Sequence, residues 1–579
     1  MRAIPLLAAA LTFTLSIRVS TGAADATAAE QSARPNIVVI LADDMGYSDI
    51  GCYGSEISTP NIDRLATDGL RFTQFYNTAR CCPTRASLLT GLYPHQAEMG
   101  WMAGRPTSTP GYRNELSKNA VTIAEALKPA GYASYMAGKW HVTSKLKPDS
   151  PQDNWPRQRG FDRFYGTVQG GGSYYDPAML TRDNTPITPE GDGEYEPRRY
   201  YYTDAITDHS VRFITEHPSR APASPFFLYV AYTAPHWPLH APEETIAKYK
   251  GKYDGGYEPV RAARFERMKS LGLVDPRWQL SAAPWKWEER EHKVWEARCM
   301  EVYAAQVERM DEGIGRIVAA LQETGKLDDT LIVFLADNGG CAEKMGRDVH
   351  EDRRVAPATQ PRKSSEIQTN VFPRYTPDGR PVRDGHIAMP GSDESYVAYG
   401  QGWANVSNTP FREYKHWVHE GGISTPLVAH WPAGIPRRGE LDPQPGHLID
   451  LMATFIDVSG ATYPAEFAGN AVQLMQGVSL APAFRGASLE RPTPIFFEHE
   501  GNRAVRDGKW KLVAKGPKGS WELYDMEADR TEMNDRAAQE PTRVRTMGAQ
   551  WQSWAETSNV LPLMAWQARD KPPARRAAE

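Results

Sequence analysis

Four short apolar runs, each followed at once by polar side chains, constrain the fold of this chain more than any other feature. The runs are residues 37–42, 132–137, 226–232 and 331–336, and none of them contains a charged residue. Such runs are typical of strands that are covered on both faces of a parallel sheet. A helical repeat of apolar residues from Val307 to Leu321 precedes the last run. Because helices alternate with buried strands in this way in α/β proteins, the sequence predicts an α/β fold.

The polar residues after these runs are acids, an amide, a lysine and histidines. They are Asp43, Asp44, Lys139, His141, His236, Asp337 and Asn338. Open α/β sheets bind ligands beyond the carboxyl ends of their strands, so we expect these side chains to meet at one edge of the sheet. A single Asp-Asp pair at a strand end is more often a helix cap or a loop acid, and only its recurrence at a second strand end favours a site. The carboxylate and amide oxygens suit Ca²⁺ or Mg²⁺ rather than zinc.

A cysteine pair lies between the first two runs, in the stretch 79–91. Cys81 is followed by Cys82 and then by Pro83 and Arg85, just before a helix-like apolar run. Free cysteines are commonly buried small hydrophobes, so this stretch taken alone leaves a structural and a chemical interpretation open. The other motifs of the chain have to decide between them.

Taken together, these motifs resemble those of the type I sulfatases, in the same order along the chain. The resemblance rests on residues 41–47, 81–91, 138–141, 235–236, 336–339, 415 and 417–422, and it covers nearly the whole mature chain. Thr84 stands where the family usually has serine, and Glu413-Tyr414 stand where Gly-Gly usually precedes the late lysine, Lys415. The resemblance implies an alkaline-phosphatase-like α/β fold, with a mixed, mostly parallel sheet flanked by helices and a smaller C-terminal antiparallel sheet.

The resemblance also implies hydrolysis of sulfate monoesters, which assays would detect as arylsulfatase activity, with a sulfated sugar or glycan as the natural substrate. In this family the first cysteine of the signature, which is Cys81 here, is oxidised to formylglycine by a dedicated maturation enzyme. An aldehyde hydrates to a geminal diol, which offers one oxygen as a nucleophile and a second that later expels the product. The predicted activity therefore depends on the conversion of Cys81.

The family pattern assigns a role to each polar residue. The metal ligands, for Ca²⁺ or alternatively Mg²⁺, would be Asp43, Asp44, Cys81 in its converted form, Asp337 and Asn338. The substrate-binding residues would be Lys139, His236 and Lys415. Outside the family pattern, His499 is a weaker candidate for contact with the substrate. Arg85 would hold the formylglycine, His236 would protonate the leaving oxygen and His141 would act as the base. The two histidine roles could be exchanged, or shared with Lys415.

Composition changes along the chain predict its organisation. Residues 1–24 combine a basic start, an apolar run and small residues, which predicts a signal peptide and export to the periplasm or out of the cell; an uncleaved anchor is the alternative. A catalytic domain is predicted over 34–485, with 343–408 as a long loop or insertion near the site. Short alternating strands predict a small α+β subdomain over 490–565, and residues 570–579 are predicted to be a flexible tail.

Charge and cysteine content narrow the possible functions further. The net charge of −5 comes without the excess of one sign that would attract nucleic acid, and no later segment is apolar enough to predict a stable membrane span. At most one disulfide is expected, and the sequence leaves open whether Cys52, Cys82, Cys299 and Cys341 pair. Two other functions stay open: a phosphonate or phosphate monoester hydrolase of the same superfamily, and a sulfoglycan-binding protein without turnover.

Overall fold

The computed structural model describes Met1 and residues 34–283, 285–350 and 356–563. The predicted signal peptide, apart from Met1, and the predicted tail at 570–579 lie outside the described residues. In the part of the chain that is described, no helix combines the length and the apolar character that a membrane crossing needs. All five cysteines are described, and each is buried and free of a disulfide.

One large sheet forms the centre of the protein. Its strands are β1 (Asn36–Ala42), β2 (Leu70–Tyr76), β3 (Ala133–Gly138), β4 (Arg163–Thr167), β5 (Leu180–Arg182), β6 (Thr185–Pro186), β7 (Phe226–Ala231), β8 (Thr330–Ala336), β9 (Ser424–His430), β10 (Glu440–Asp442) and β11 (Gly446–His447). They follow the order β10-β2-β9-β8-β1-β7-β3-β4-β5-β6, with β11 beside β2. The five strands from β8 to β4 in this order are parallel, whereas β9 is antiparallel to both β8 and β2. The sheet is therefore mixed and mostly parallel.

Helices cover both faces of this sheet. The α-helices are α1 (Pro60–Thr67), α2 (Cys81–Thr90), α3 (Ile123–Leu127), α4 (Tyr202–Arg220), α5 (Glu243–Ile246), α6 (Tyr257–Ser270), α7 (Lys293–Glu323), α8 (Gly400–Ser407), α9 (Glu420–Ile423), α10 (Asp450–Ser459), α11 (Ala481–Phe484) and α12 (Pro541–Thr557). Short 3₁₀ turns lie at Gly51–Tyr53, Lys128–Ala130, Pro156–Arg159, Ala247–Tyr249, Trp287–Glu289 and Gly385–Ile387. Along β1, Val39 and Leu41 pack into one core with α2 and α10, and Val38 and Ile40 pack into another with α4 and α7. Successive side chains of a strand point to opposite faces, so burial on both sides explains the charge-free run.

The register of the parallel strands brings their carboxyl ends to one edge of the sheet. Ala42 of β1 pairs with Ala336 of β8, and Gly138 of β3 pairs with Ala231 of β7. Leu41 of β1 also pairs with Ala231. The neighbouring strands β8, β1, β7 and β3 therefore end side by side, and the polar residues that follow them meet beyond this edge.

A second, antiparallel sheet lies near the C-terminus. After the small pair β12 (Glu466–Phe467) and β13 (Asn470–Ala471), it contains β14 (Ile495–His499), β15 (Asn502–Asp507), β16 (Trp510–Ala514) and β17 (Glu522–Asp525) in sequence order. Helix α12 packs on this sheet, where Trp551 Nε1 donates to the Phe497 carbonyl at 3.0 Å. The second sheet and the large sheet belong to the same compact unit, which begins at Pro35. With this second sheet the predicted fold class is confirmed.

The segment 343–408 is the predicted long loop or insertion. Most of its described residues lack regular structure, and helix α8 lies near its end. The helix is stabilised by the burial of Trp403, which is 0% exposed. The Pro and Gly content of the segment does not indicate this burial. Elsewhere in the segment, Phe372 stacks on Trp237 with ring centroids 5.5 Å apart. The segment therefore reaches the sheet edge where the polar residues meet.

Candidate active site

Cys81 is the first residue of helix α2, and its side chain is almost fully buried. The first N–H groups of a helix have no partner within the helix, so its N-terminus favours negative charge. The Cys81 Sγ atom lies within 4.8 Å of Cys82 Sγ and of a ring nitrogen of His141. A hydrogen bond with Cys82, together with the charge of Lys139, outweighs burial and lowers the pKa of the Cys81 thiol well below its ordinary value. The local structure thus stabilises an anionic group at this position.

Three carboxylates and an amide meet beyond the ends of β1 and β8. The backbone N–H of Asp44 donates to Asp337 Oδ1 at 3.1 Å, and Asn338 Nδ2 donates to Asp44 Oδ1 at 2.7 Å. Asp43 follows β1 directly, and all four side chains are buried. Asp44 has a φ of +62°, which is uncommon for a residue other than glycine and occurs often at functional sites.

Arg85 and Lys139 bring positive charge to the acids. Lys139 Nζ lies 2.5 Å from Asp43 Oδ2, and Arg85 Nη2 lies 3.3 Å from the same oxygen and 3.0 Å from Asp337 Oδ2. Arg85 Nη1 also donates to the Lys139 carbonyl at 2.9 Å. Burial disfavours a charged lysine, but Asp43 outweighs it and raises the pKa of Lys139. Both cations are therefore charged at neutral pH.

Lys415 and His236 both reach Asp44. Lys415 Nζ lies 3.0 Å from the Asp44 carboxylate, and His236 Nε2 lies 3.4 Å from Asp44 Oδ2. Burial opposes the charge of Lys415, but Asp44 outweighs it and raises the pKa of this lysine well above its ordinary value. His236 Nδ1 lies 2.6 Å from the Trp237 carbonyl, so this nitrogen carries a hydrogen and donates it. Lys415 therefore lies in the site, although Glu413 and Tyr414 stand before it instead of the usual Gly-Gly.

His141 is packed against a glycine loop. A Cβ atom at Gly170 would lie 2.0 Å from His141 Nε2, so a side chain at this position cannot fit against the ring. Burial lowers the pKa of His141 to about 4. The imidazole is therefore neutral at neutral pH, as a general base requires.

The oxygen donors fit a hard divalent cation. Asp43 Oδ1 and Asn338 Oδ1 are buried, and neither has a hydrogen-bond donor among the described residues. A buried polar atom without a partner costs free energy, and a cation would satisfy both oxygens. Together with Asp44 and Asp337 they form an all-oxygen set, which Ca²⁺ and Mg²⁺ prefer.

His499 is the one predicted site residue that lies apart from this group. It ends β14 in the second sheet, is fully buried, and has its Nε2 atom 3.6 Å from Glu500 Oε1. Next to the predicted residues lie four that the motifs do not mark: Arg80, Glu343, His416 and Glu500. For two of these, the sequence position alone indicates a place near the site, since Arg80 directly precedes Cys81 and His416 directly follows Lys415.

Comparisons with known proteins show the family of this chain. Residues 35–461 match the sulfatase family model, and residues 412–550 match the model of the C-terminal part of N-sulphoglucosamine sulphohydrolase. An arylsulfatase of Klebsiella aerogenes is 34% identical over 465 residues, which cover 78% of this chain and 92% of that protein. An uncharacterised sulfatase of Schizosaccharomyces pombe is 31% identical over 562 residues, which cover 92% of this chain and 95% of that protein.

Solved structures show the same fold. The structure of Ps i-CgsB in complex with k-i-k-neocarrahexaose is 25% identical, with a TM-score of 0.61 and coverage of 92% of this chain and 98% of that one. A second structure, in complex with its substrate D-glucosamine-2-N,6-O-disulfate, is 20% identical, with a TM-score of 0.57 and coverage of 91% and 99%. The fold, the polar residues at the sheet edge and the match over most of the chain lead to one conclusion: this protein is a sulfuric ester hydrolase that belongs to the sulfatase family.

Proposed function

We propose that this protein hydrolyses sulfate monoesters of sugars or glycans, using a formylglycine formed from Cys81 and a bound divalent cation. The observation that carries the proposal is the meeting of Cys81, buried cations and an all-oxygen donor set at one edge of the sheet. The ion, Ca²⁺ or Mg²⁺, would be held by Asp43, Asp44, Asp337 and Asn338 together with residue 81. A formylglycine hydrate at position 81 would supply the nucleophilic hydroxyl, and a divalent ion held by these residues would make that hydroxyl more acidic.

Lys139 and Lys415 would bind the sulfate group. A sulfate monoester carries one negative charge, and more charge gathers on its bridging oxygen as the bond to the alcohol breaks. Both lysines are buried and charged, and each is held by a different aspartate, Asp43 or Asp44. Because their positions are fixed before the ester arrives, they stabilise the developing charge without reorganising. The N-terminus of α2 adds further N–H donors beside residue 81.

His236 and His141 would move the protons. Since His236 Nδ1 donates to the Trp237 carbonyl, only Nε2 can give a proton, and we assign it to the leaving oxygen of the alcohol. The neutral ring of His141 would take a proton from residue 81 and so help to expel the product. The two roles fit the chemistry, because the leaving oxygen needs an acid and residue 81 needs a base.

Similar proteins support a sugar as the alcohol of the ester, and the N-terminal sequence supports the proposed export. An N-acetylgalactosamine-6-sulfatase of Canis lupus familiaris is 25% identical over 542 residues, and the two solved complexes above contain carbohydrate ligands. Residues 1–24 have the composition of a signal peptide, so we further propose export to the periplasm or out of the cell. A maturation enzyme would convert Cys81 before the protein becomes active.

The test begins with peptide mass spectrometry across Cys81, on protein produced together with a formylglycine-generating enzyme. The converted protein is then assayed with 4-nitrophenyl sulfate, 4-nitrophenyl phosphate and a panel of sulfated sugars. We expect conversion at Cys81 and a higher kcat/KM for the sulfate ester than for its phosphate counterpart. A preference for phosphate would favour the phosphate hydrolase, and binding of sulfated sugars without release of sulfate by converted protein would favour the binding protein.

A further inference from the structure

Four charged residues form a second group beside the active site, which we call the outer cluster: Arg80, Glu343, His416 and Glu500. They come from four separate parts of the chain, namely the residue before α2, the segment after β8, the loop that carries Lys415, and the turn between β14 and β15. Their side chains are between 13% and 27% exposed. Unlike the buried acids and lysines, they are therefore partly open to solvent and to a ligand.

Glu343 is one of the two acids of the outer cluster. Its Oε1 atom lies 3.3 Å from Arg80 Nη2 and 3.1 Å from His416 Nε2. Its Oε2 atom accepts a hydrogen bond from Trp237 Nε1 at 2.8 Å. Burial would raise the pKa of Glu343, but Lys415, His416 and Arg80 outweigh it and hold the pKa well below its ordinary value, so that the carboxylate is charged.

Glu500 repeats this pattern from the second sheet. Its Oε1 atom lies 3.3 Å from Arg80 Nη1 and accepts a hydrogen bond from Trp101 Nε1 at 3.2 Å. Its Oε2 atom lies 2.8 Å from His416 Nδ1. Each glutamate is thus bound by the same arginine, the same histidine and one tryptophan of its own.

A buried histidine, His499, lies behind Glu500. It is 0% exposed, and its Nε2 atom lies 3.6 Å from Glu500 Oε1. A buried imidazole is thus next to this carboxylate, in addition to Arg80 and His416.

The outer cluster adjoins the residues that we propose bind the sulfate. Arg80 directly precedes Cys81, and His416 directly follows Lys415. Glu343 Oε2 lies 3.6 Å from Lys415 Nζ, which links the cluster to the proposed sulfate-binding lysine itself. The cluster is therefore within reach of an alcohol attached to a sulfate at Lys415.

The chemistry of the outer cluster selects among possible alcohols. Its two carboxylates face two basic groups, so a second sulfate on the substrate would meet negative as well as positive charge. A plain aromatic ring could use the flanking indole rings of Trp101 and Trp237 but none of the charged groups. A sugar ring has apolar faces and an edge of hydroxyl groups, each of which can donate to a carboxylate and accept from an arginine.

Resting on the proposed function, we propose that the outer cluster binds the alcohol part of the ester, and that this alcohol is an uncharged, hydroxyl-rich sugar unit. Glu343 and Glu500 accept hydrogen bonds from its hydroxyl groups, and Arg80 donates to them. Trp101, which holds Glu500, contacts one of its apolar faces.

The test compares two classes of substrate in matched variants. Glu343→Gln and Glu500→Gln keep the shape of the side chain and remove its charge. The control is Glu413→Gln: Glu413 lies on the same loop as His416, but its carboxylate pairs with Lys515. kcat and KM are measured for 4-nitrophenyl sulfate and for glucose, galactose, fucose and N-acetylglucosamine that each carry a single sulfate. For the best sugar sulfate, we expect kcat/KM to fall about tenfold or more, mainly through KM, since hydrogen bonds to charged groups are strong. The fall for 4-nitrophenyl sulfate should be several times smaller, and Glu413→Gln should leave the ratio of the two substrates as it is.

Three results would overturn the inference. One is an equal loss on both classes of substrate, which would mean that the cluster only positions the catalytic groups. Another is a wild type that hydrolyses 4-nitrophenyl sulfate but none of the sugar sulfates. If converted wild type hydrolyses no sulfate at all, the proposed function fails as well, so the two failures are distinguishable. Mass spectrometry of Cys81 shows whether each variant is still converted. Trp101→Phe, which removes the N–H that donates to Glu500 and makes the ring smaller, should show the same selective loss in a milder form.

Discussion

Replacing Glu420 by glutamine should lower the free energy of unfolding by about 3–5 kcal/mol. This residue begins α9, is fully buried and joins the two sheets. Its carboxylate lies 2.8 Å from Lys511 Nζ and 2.8 Å from Arg530 Nε, and it accepts a hydrogen bond from Ser424 Oγ at 2.8 Å. The amide keeps the shape of the side chain, but it leaves Arg530 buried without a carboxylate partner among the described residues.

The pH dependence of this effect can be worked out from the same contacts. Burial alone would raise the pKa of Glu420, but Lys511 and Arg530 outweigh it and lower the pKa from 4.5 to about 2. With about 1.4 kcal/mol for each pKa unit, this lowering corresponds to about 3 kcal/mol. Because the folded-state pKa is the lower one, the stabilisation is complete above about pH 4.5 and is lost as the pH falls towards 2. Protonated glutamate resembles glutamine, so wild type and variant should converge over this range.

The assay is urea unfolding followed by tryptophan fluorescence, at several pH values between about 7 and 3. Lys509→Gln is the matched control, because it removes an ion pair of 2.6 Å with Asp525 in the same small sheet, but at an exposed position. Exposed pairs contribute little, so this control should unfold at nearly the wild-type midpoint. The reasoning is refuted if Glu420→Gln behaves like the control, or if its deficit stays constant as the pH falls.

Three further predictions concern the active site. Gly170→Ala should reduce kcat about tenfold or more, because the new Cβ would displace His141. Gly171→Ala should reduce kcat much less, because its Cβ would lie 3.3 Å from the nearest atom. Steady-state kinetics on converted protein checks both variants. Cys81→Ala should release no sulfate and keep the thermal stability of unconverted wild type, since alanine cannot be oxidised to an aldehyde; residual turnover would contradict the proposed nucleophile. Dialysis against EGTA should abolish activity, and added Ca²⁺ should restore it. Asp43→Asn should raise the Ca²⁺ concentration needed for half of the activity to recover. Full activity in metal-free protein would exclude a role for the ion in catalysis.

Much of the catalytic edge was predictable because local sequence patterns report local burial. The charge-free runs predicted β1, β3, β7 and β8, since only strands covered on both faces lack charged residues in this way. Parallel neighbouring strands have their carboxyl ends at one edge of the sheet, and this alone predicts that Asp43 lies near Asp337. Helix α8 was missed, because its stability comes from burying Trp403 and not from a periodic pattern in its own residues.

Sequence by itself thus determined the α/β class, the strand ends that carry the acids, lysine and histidines, and the stretch around Cys81, because each of these depends on residues that are close together in the chain. The outer cluster was decided only by the tertiary structure. Arg80 and Glu500 are 420 positions apart, and they meet because the second sheet packs beside the N-terminus of α2. No spacing or periodicity records such a contact, since it depends on how distant elements bury their apolar faces against one another.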